Sequence, residues 1–294
     1  MSRMTRREFL KALGITAALP LVEPLAKLAL PADAANPELL ARLFHSQGGL
    51  LGDSVHPILE AGDTWYRLPD GIIEKTLAQP ILASDYRPPT SIIPDPALRI
   101  GEWAQVVAPS AWLLTQPAPN DCIGDRVGHG SIGRILDILP GASPDEVTWI
   151  LIDRPEAEPE RRKRAWTQAH LWRSLPTMPA ALENDRYAVI DLNTLRLSAY
   201  QADRLAFSSL ITADVQVKPG VRRVVAHLPG TLRELSPFAL LLHEHDFRYA
   251  ISGCTHQNRF GAPREFGSAF VQLPVYAARS LYEFLPDGAE IRVM

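Results

Sequence analysis

Cysteine is scarce in this 294-residue chain, with only Cys122 and Cys254 present, so no disulfide framework is implied. Basic charge is not in excess either. Thirty Lys and Arg stand against 33 Asp and Glu, a net charge of −3, which argues against general nucleic-acid binding because that needs a basic face. No uninterrupted apolar run reaches membrane-spanning length. The apolar stretch Ala12 to Leu30 is broken by Pro20, Glu23, Pro24 and Lys27, whereas a spanning helix wants about 20 nearly continuous apolar residues. Between Asp63 and Ser174 no long helix-period pattern occurs. Proline, by contrast, is abundant at 26 residues, favouring β architecture with many turns over a helical bundle. With 46% hydrophobic and 21% charged residues, the composition is that of a globular protein with a packed core.

The N-terminus reads as an export signal. Thr5-Arg6-Arg7-Glu8-Phe9-Leu10-Lys11 matches the twin-arginine pattern, and Ala32-Asp33-Ala34 offers a small-x-small cleavage site after the apolar stretch. Residues 1–34 are therefore expected to be a twin-arginine signal peptide, and the mature protein to be extracytoplasmic, in the cell envelope, without a membrane span. The competing reading is an amphipathic N-terminal helix of the mature domain.

Residues 36–60 form a lead-in, with helical periodicity from Pro37 to Gln47 that stops at Gly48-Gly49. Residues 63–175 carry short β-like runs, among them Thr64–Leu68, Trp103–Val107, Ser131–Ile138 and Val147–Asp153, separated by turns such as Pro69-Asp70-Gly71 and Pro140-Gly141. Glu156–Arg164 is a charge-dense insertion that reads as a solvated loop. Trp166 and Trp172 follow it near a domain junction, where packing is the ordinary role and stacking on sugar rings the functional alternative. Residues 176–184, with Pro176 and Pro179, make a linker. From Asp185 the pattern becomes a β-meander: Tyr187–Leu192, Arg196–Tyr200 and Leu205–Ile211, with a turn at Asn193-Thr194.

The stretch Arg248 to Gln272 has the outline of a catalytic loop. A β-type run enters a Gly-broken segment carrying Cys254, His256 and several amides, and an alternating strand leads from it into the helical run Val275–Phe284. Ser252-Gly253, Phe260-Gly261-Ala262-Pro263, Leu281-Tyr282-Glu283-Phe284 and the Pro286-Asp287-Gly288 turn stand in the order found in one enzyme family. The chain from about 185 to 293 resembles the L,D-transpeptidase catalytic domain, a cysteine enzyme fold that cross-links bacterial peptidoglycan. Segments within 63–175 resemble, more weakly, the Src-homology-type β-barrel modules that precede that domain in some members. The resemblance implies a mainly β protein: N-terminal small β-barrel-like modules, then a β-sandwich or barrel with one short helix over residues 185–294.

The family's chemistry is missing from the frame. The His of its His-Gly dipeptide is Ser252. Its signature Cys falls on Ser268 when aligned forward from Pro263, or on Phe270 when aligned backward from Leu273; the Arg/Asn after it becomes Phe270 or Gln272. A cysteine nucleophile needs a base within hydrogen-bond reach, and no alignment restores the pair. The implied function is an envelope protein that is catalytically degenerate and binds peptidoglycan stem peptides or another envelope protein, with no cofactor.

Two other readings stay open. A residual L,D-transpeptidase or carboxypeptidase would use Cys254 with His256, whose i, i+2 spacing puts both on one face of an extended segment, or Ser268 beside Ser252. A metal-binding envelope protein would use His243, His245, Cys254 and His256, all donors that suit zinc. For binding a stem-peptide carboxylate the candidates are Arg259, Arg264 and Asn258, with Arg222-Arg223 as a second cationic pair.

Overall fold

The computed structural model describes residues 39–43, 54–62, 64–118, 124–143, 146–153, 164–175, 185–230, 236–242, 250–255, 258–265 and 271–294. The expected signal peptide and linker, residues 156–163 of the charge-dense stretch, Cys122, His243, His245, His256 and Ser268 lie outside them.

Six short strands open the described chain: β1 (Leu39–Leu43), β2 (Val55–Pro57), β3 (Glu60–Ala61), β4 (Trp65–Leu68), β5 (Gly71–Glu74) and β6 (Ala78–Leu82). They make two three-stranded sheets, β2-β1-β6 and β3-β4-β5. Between β4 and β5 only Pro69 and Asp70 intervene, since Leu68 pairs with Gly71; proline presets φ for such a turn.

Next come β7 (Trp103–Val106), β8 (Ser110–Leu114), β9 (Gly124–Gly128), β10 (Ile132–Leu139), β11 (Trp149–Asp153), β12 (Arg164–Gln168) and β13 (Trp172–Ser174). All seven lie in one antiparallel sheet of order β13-β7-β10-β11-β12-β8-β9. Trp172 is fully buried in its core and its indole N–H donates to the Thr167 hydroxyl at 3.0 Å. Its role is packing.

The C-terminal unit contains β14 (Arg186–Asp191), β15 (Arg196–Gln201), β16 (Arg204–Leu210), β17 (Thr212–Ala213), β18 (Gly220–Arg223), β19 (Ala226–Gly230), β20 (Pro237–Leu241), β21 (Ala250–Cys254), β22 (Val271–Pro274), helix α1 (Val275–Phe284) and β23 (Glu290–Val293). They form two five-stranded sheets, β16-β15-β14-β23-β18 and β17-β22-β21-β20-β19. The expected meander is β14 to β16. Its first turn is held by the Asp191 carboxylate, which accepts from the Asn193 and Thr194 amides and the Thr194 hydroxyl, the local bonding that favours aspartate in turns. Both sheets and α1 share one apolar core, with Ile190, Leu197, Ile251, Leu273, Leu281 and Ile291 among its buried members. In β20, β21 and β22 every residue is buried, as in strands covered on both faces.

The protein is thus mainly β, with one α-helix among the described residues. Two sequence expectations are corrected. The periodicity over Pro37–Gln47 predicts a helix, yet Leu39–Leu43 is a strand, hydrogen-bonded to β2 on one edge and β6 on the other. Tertiary pairing overrides propensity in so short a segment. Nor does a barrel close among the described residues: each sheet keeps edge strands, such as β13 and β9 or β16 and β18, that pair on one side only.

Two side chains, Arg42 and Asp85, stitch the sheets together, and a third, His129, ties the end of β9 to the β7–β8 connection within one sheet. Arg42 on β1 is buried and donates to the Pro109 and Thr255 carbonyls, each at 2.8 Å. Burial, with Arg126 adding like charge, pushes its pKa down to about 9. Asp85, following β6, accepts from Arg173 on β13 and Arg279 on α1 at 2.7 and 2.6 Å. Burial opposes its ionisation, but the two guanidinium groups together hold its carboxyl below the usual range. His129, at the end of β9, places Nδ1 3.3 Å from the Val107 and Ala108 carbonyls.

Candidate functional site

β21 and β22 run parallel and adjacent, with Ile251 opposite Val271, Ser252 opposite Gln272, Gly253 opposite Leu273 and Cys254 opposite Pro274. The chain from 255 to 270 must therefore cross from the end of one strand to the start of its neighbour. This crossover is the loop that the family resemblance marks as catalytic.

Its described parts are anchored at several points. The Thr255 carbonyl accepts from Arg42. The Asn258 side-chain amide donates to the Lys75 and Ala78 carbonyls, 183 and 180 residues away in sequence, and also hydrogen-bonds the Tyr66 side chain. The Arg259 carbonyl accepts from the Thr212 hydroxyl at 2.7 Å, and the Gly261 amide donates to the Ile211 carbonyl at 2.8 Å. Arg264 bridges to β17 through its amide on the Ala213 carbonyl and its carbonyl on the Val215 amide. A left-handed φ of 88° at Gly261 lets the chain turn there without a Cβ penalty.

The sequence candidates divide between core and surface. Ser252 and Gln272 are 0% exposed and Cys254 is 1% exposed. The Ser252 hydroxyl makes no hydrogen bond among the described residues. Gly253 lets this strand approach its neighbours: a Cβ there would sit 2.9 Å from Pro237 Cγ, 3.1 Å from the Pro237 carbonyl oxygen and 3.2 Å from Ala278 Cβ. Asn258 is buried, with its amide spent on β6 and the turn before it. Arg259 and Arg264 are exposed, so the crossover carries its cations on the outside while Ser252 and Cys254 stand inside. The other cationic pair lies on the edge strand β18, where Arg223 faces Glu290 at 4.0 Å. Among the described residues no three His, Cys, Asp or Glu side chains converge as a metal set would; of the proposed set only Cys254 lies among them.

One pair was not suggested by the sequence. His227 places Nδ1 2.7 Å from the Asp287 carboxylate and Nε2 2.8 Å from the Leu285 carbonyl. Sixty residues separate His227 from Asp287, and backbone bonds between Val224, just before β19, and Gly288 and Ala289, after α1, bring the two segments together.

No family model and no curated protein matches the chain. Three solved structures show what it is similar to. The first is a fused Zn-dependent amidase/peptidase/peptidoglycan-binding domain-containing protein from Clostridium acetobutylicum, at 13% identity over 37% of this chain and 52% of that one, TM-score 0.31. The chain thus spans about half the length of that relative. The second is the catalytic domain of an Enterococcus faecium L,D-transpeptidase, at 18% identity over 39% of this chain and 100% of that one, TM-score 0.31. The third is an L,D-transpeptidase from Mycobacterium smegmatis, at 11% identity over 54% of this chain and 98% of that one, TM-score 0.32.

Proposed function

We infer that this chain is an exported cell-envelope protein of the L,D-transpeptidase type whose catalytic positions have been turned into core, and that it works by binding peptidoglycan stem peptides or an envelope protein. The observation that carries this reading is the register of Ser252 on Gln272, both fully buried in adjacent parallel strands. In the alignment anchored at Leu273 these are the positions of the family's base and of its post-cysteine Arg/Asn. A serine hydroxyl cannot serve as the base there, and a general base must come within about 3 Å of the proton it takes. Cys254 ends the same strand as a buried thiol, and apolar burial raises a thiol's pKa and makes it inert. The exposed Arg259 and Arg264 remain as groups for a stem-peptide carboxylate.

The test is incubation of residues 35–294 with purified sacculi, scoring co-sedimentation and new stem-peptide products, with Cys254→Ala alongside. Binding without products is the expected result. Products that vanish in Cys254→Ala would sink the reading and make the protein a rebuilt cysteine transpeptidase. Alkylation in a Cys122→Ser background gives an independent check. Cys254 should react near neutral pH only as fast as the fold opens, and a rapid reaction in the native state would count against an inert thiol.

A further inference from the structure

A cleft of about 840 Å³ opens beside the C-terminal turns of α1, lined by Arg186, Arg204, Leu205, Phe207, Ser280 and Phe284 among others. It is separate from the crossover. Cys254 pairs with Pro274, immediately before the N-terminal end of the helix, whereas Glu283 and Phe284 in the cleft wall close its last turn.

The floor is aromatic. Phe207 and Phe284 meet edge to face with ring centroids 5.8 Å apart, and Leu205 on the edge strand β16 leaves 52% of its surface in solvent. Over this floor lies a guanidinium already set in place. Arg186 sits 4.9 Å from the Phe284 ring centroid and donates Nη1–H to the Phe284 carbonyl at 3.2 Å. Its Nε is buried and has no acceptor among the described residues. A buried charged donor left unmatched is costly, and in a native site it calls for an explanation such as a missing partner.

The charge balance says which partner. Four ionisable side chains line the cleft: Arg186, Arg204, Asp185 and Glu283. Glu283 is already engaged by Arg279 Nε at 2.8 Å, leaving two cations against one carboxylate. Arg204 is held at the rim by a two-residue turn in which Ala202 and Asp203 both take left-handed φ, 46° and 62°. Asparagine and glycine usually fill such turns. The Tyr187 hydroxyl fixes this one through the Asp203 carboxylate at 2.9 Å. Backbone strain retained at a concave rim is characteristic of ligand clamps.

We propose that this cleft binds a carboxylate joined to an apolar group, the carboxylate on the guanidinium groups of Arg186 and Arg204 and the apolar part over Phe207, Phe284 and Leu205. The volume falls within the range of small-molecule sites, which pair an apolar lining with a few placed polar groups. Arginine's planar fork suits a carboxylate better than a single-point cation does. Two sources carry this chemistry, a free apolar acid and the C-terminus of a peptide ending in an apolar residue. The proposal does not depend on the envelope reading.

Calorimetric titration of residues 35–294 tests it, with octanoate for the free acid and N-acetyl-Ala-Phe for the peptide terminus, each beside its uncharged counterpart, octanamide and the dipeptide amide. Both acids should bind one-to-one and compete, each at least about tenfold tighter than its amide. Whichever acid is tighter assigns the source, and either assignment upholds the proposal. Arg186→Gln should abolish binding. Arg204→Gln, an exposed position where folding is not at stake, should weaken it by about three- to tenfold. No binding of either acid up to about 10 mM, or equal binding to wild type and Arg204→Gln, overturns the proposal.

Discussion

Replacing Gly128 by alanine tests whether the buried guanidinium of Arg42 holds the sheets together. An ideal Cβ on Gly128 would sit 2.1 Å from Arg42 Nη1, 2.7 Å from Nη2 and 2.8 Å from Cζ. The backbone of β9 is fixed by its full ladder to β8, so the guanidinium has to move. Moving it breaks the bonds to the Pro109 and Thr255 carbonyls, and each hydrogen bond from a charged group is worth about 1.5–3 kcal/mol. The charge would also remain buried with fewer partners, which adds cost. Gly128→Ala alone should therefore lose about 3–5 kcal/mol, at the top of the range for single substitutions. In an Arg42→Leu background the shorter side chain leaves that space open, and the same alanine should cost under about 1 kcal/mol. The Pro109 carbonyl keeps its bond from the His129 amide at 3.0 Å, so Arg42→Leu does not strip it. Urea unfolding of the four proteins, followed by tryptophan fluorescence, gives the cycle directly. Additivity within about 0.5 kcal/mol would refute the reasoning, because the two positions would then not share one volume.

Two further outcomes follow from the same geometry. Gly253→Ala presses on the Pro237 carbonyl and Ala278, neither of which can swing away, and should lower stability by about 1–3 kcal/mol; an unchanged melting temperature would mean that β21 and α1 are not in contact there. His129 supplies a pH dependence. Burial, reinforced by the Arg42 charge, pushes its pKa down to about 4, so the folded protein binds fewer protons than the unfolded chain between that value and about 6.5. Its contribution is complete above about pH 6.5 and is lost as pH falls toward 4, by about 3 kcal/mol in all. Unfolding free energies at pH 7 and 4.5 should differ less in His129→Gln than in wild type, and parallel slopes would show that His129 is not the group responsible.

Much of the C-terminal unit is legible in its residues. Alternation across Arg186–Asp191 and Arg196–Gln201 marks strands, the Asp191-x-Asn193-Thr194 run marks their turn, and the burial of Val275, Ala278, Leu281 and Tyr282 on one face of α1 follows helical spacing. What stays hidden is long-range. Leu39–Leu43 carries a helical rhythm, and its true state is decided by strands at 55–57 and 78–82. Arg42 reaches carbonyls 67 and 213 residues away, and no local pattern marks a β1 arginine as an interior hub. The candidate site was legible as a loop between two strands, but the burial of Ser252 and Cys254 is set by tertiary packing that no local pattern announces. Asn258, a polar residue in a polar loop, reads as ligand-facing until its two distant carbonyl acceptors are seen.

The parallel pairing of β14 with β23 ties folding to the order of synthesis. β23 lies between β14 and β18 in the sheet, pairing Tyr187 with Glu290 and Val189 with Arg292 on one side and Val221 with Arg292 on the other. A nascent chain that has emitted everything up to α1 still has an open slot in the middle of that sheet, with β18 unpaired and one edge of β14 bare. Contacts across some hundred residues are slow to form, and bare strand edges invite pairing with other chains. The unit can therefore be completed only after its final strand leaves the ribosome, and until then its own interior is the surface most in need of protection.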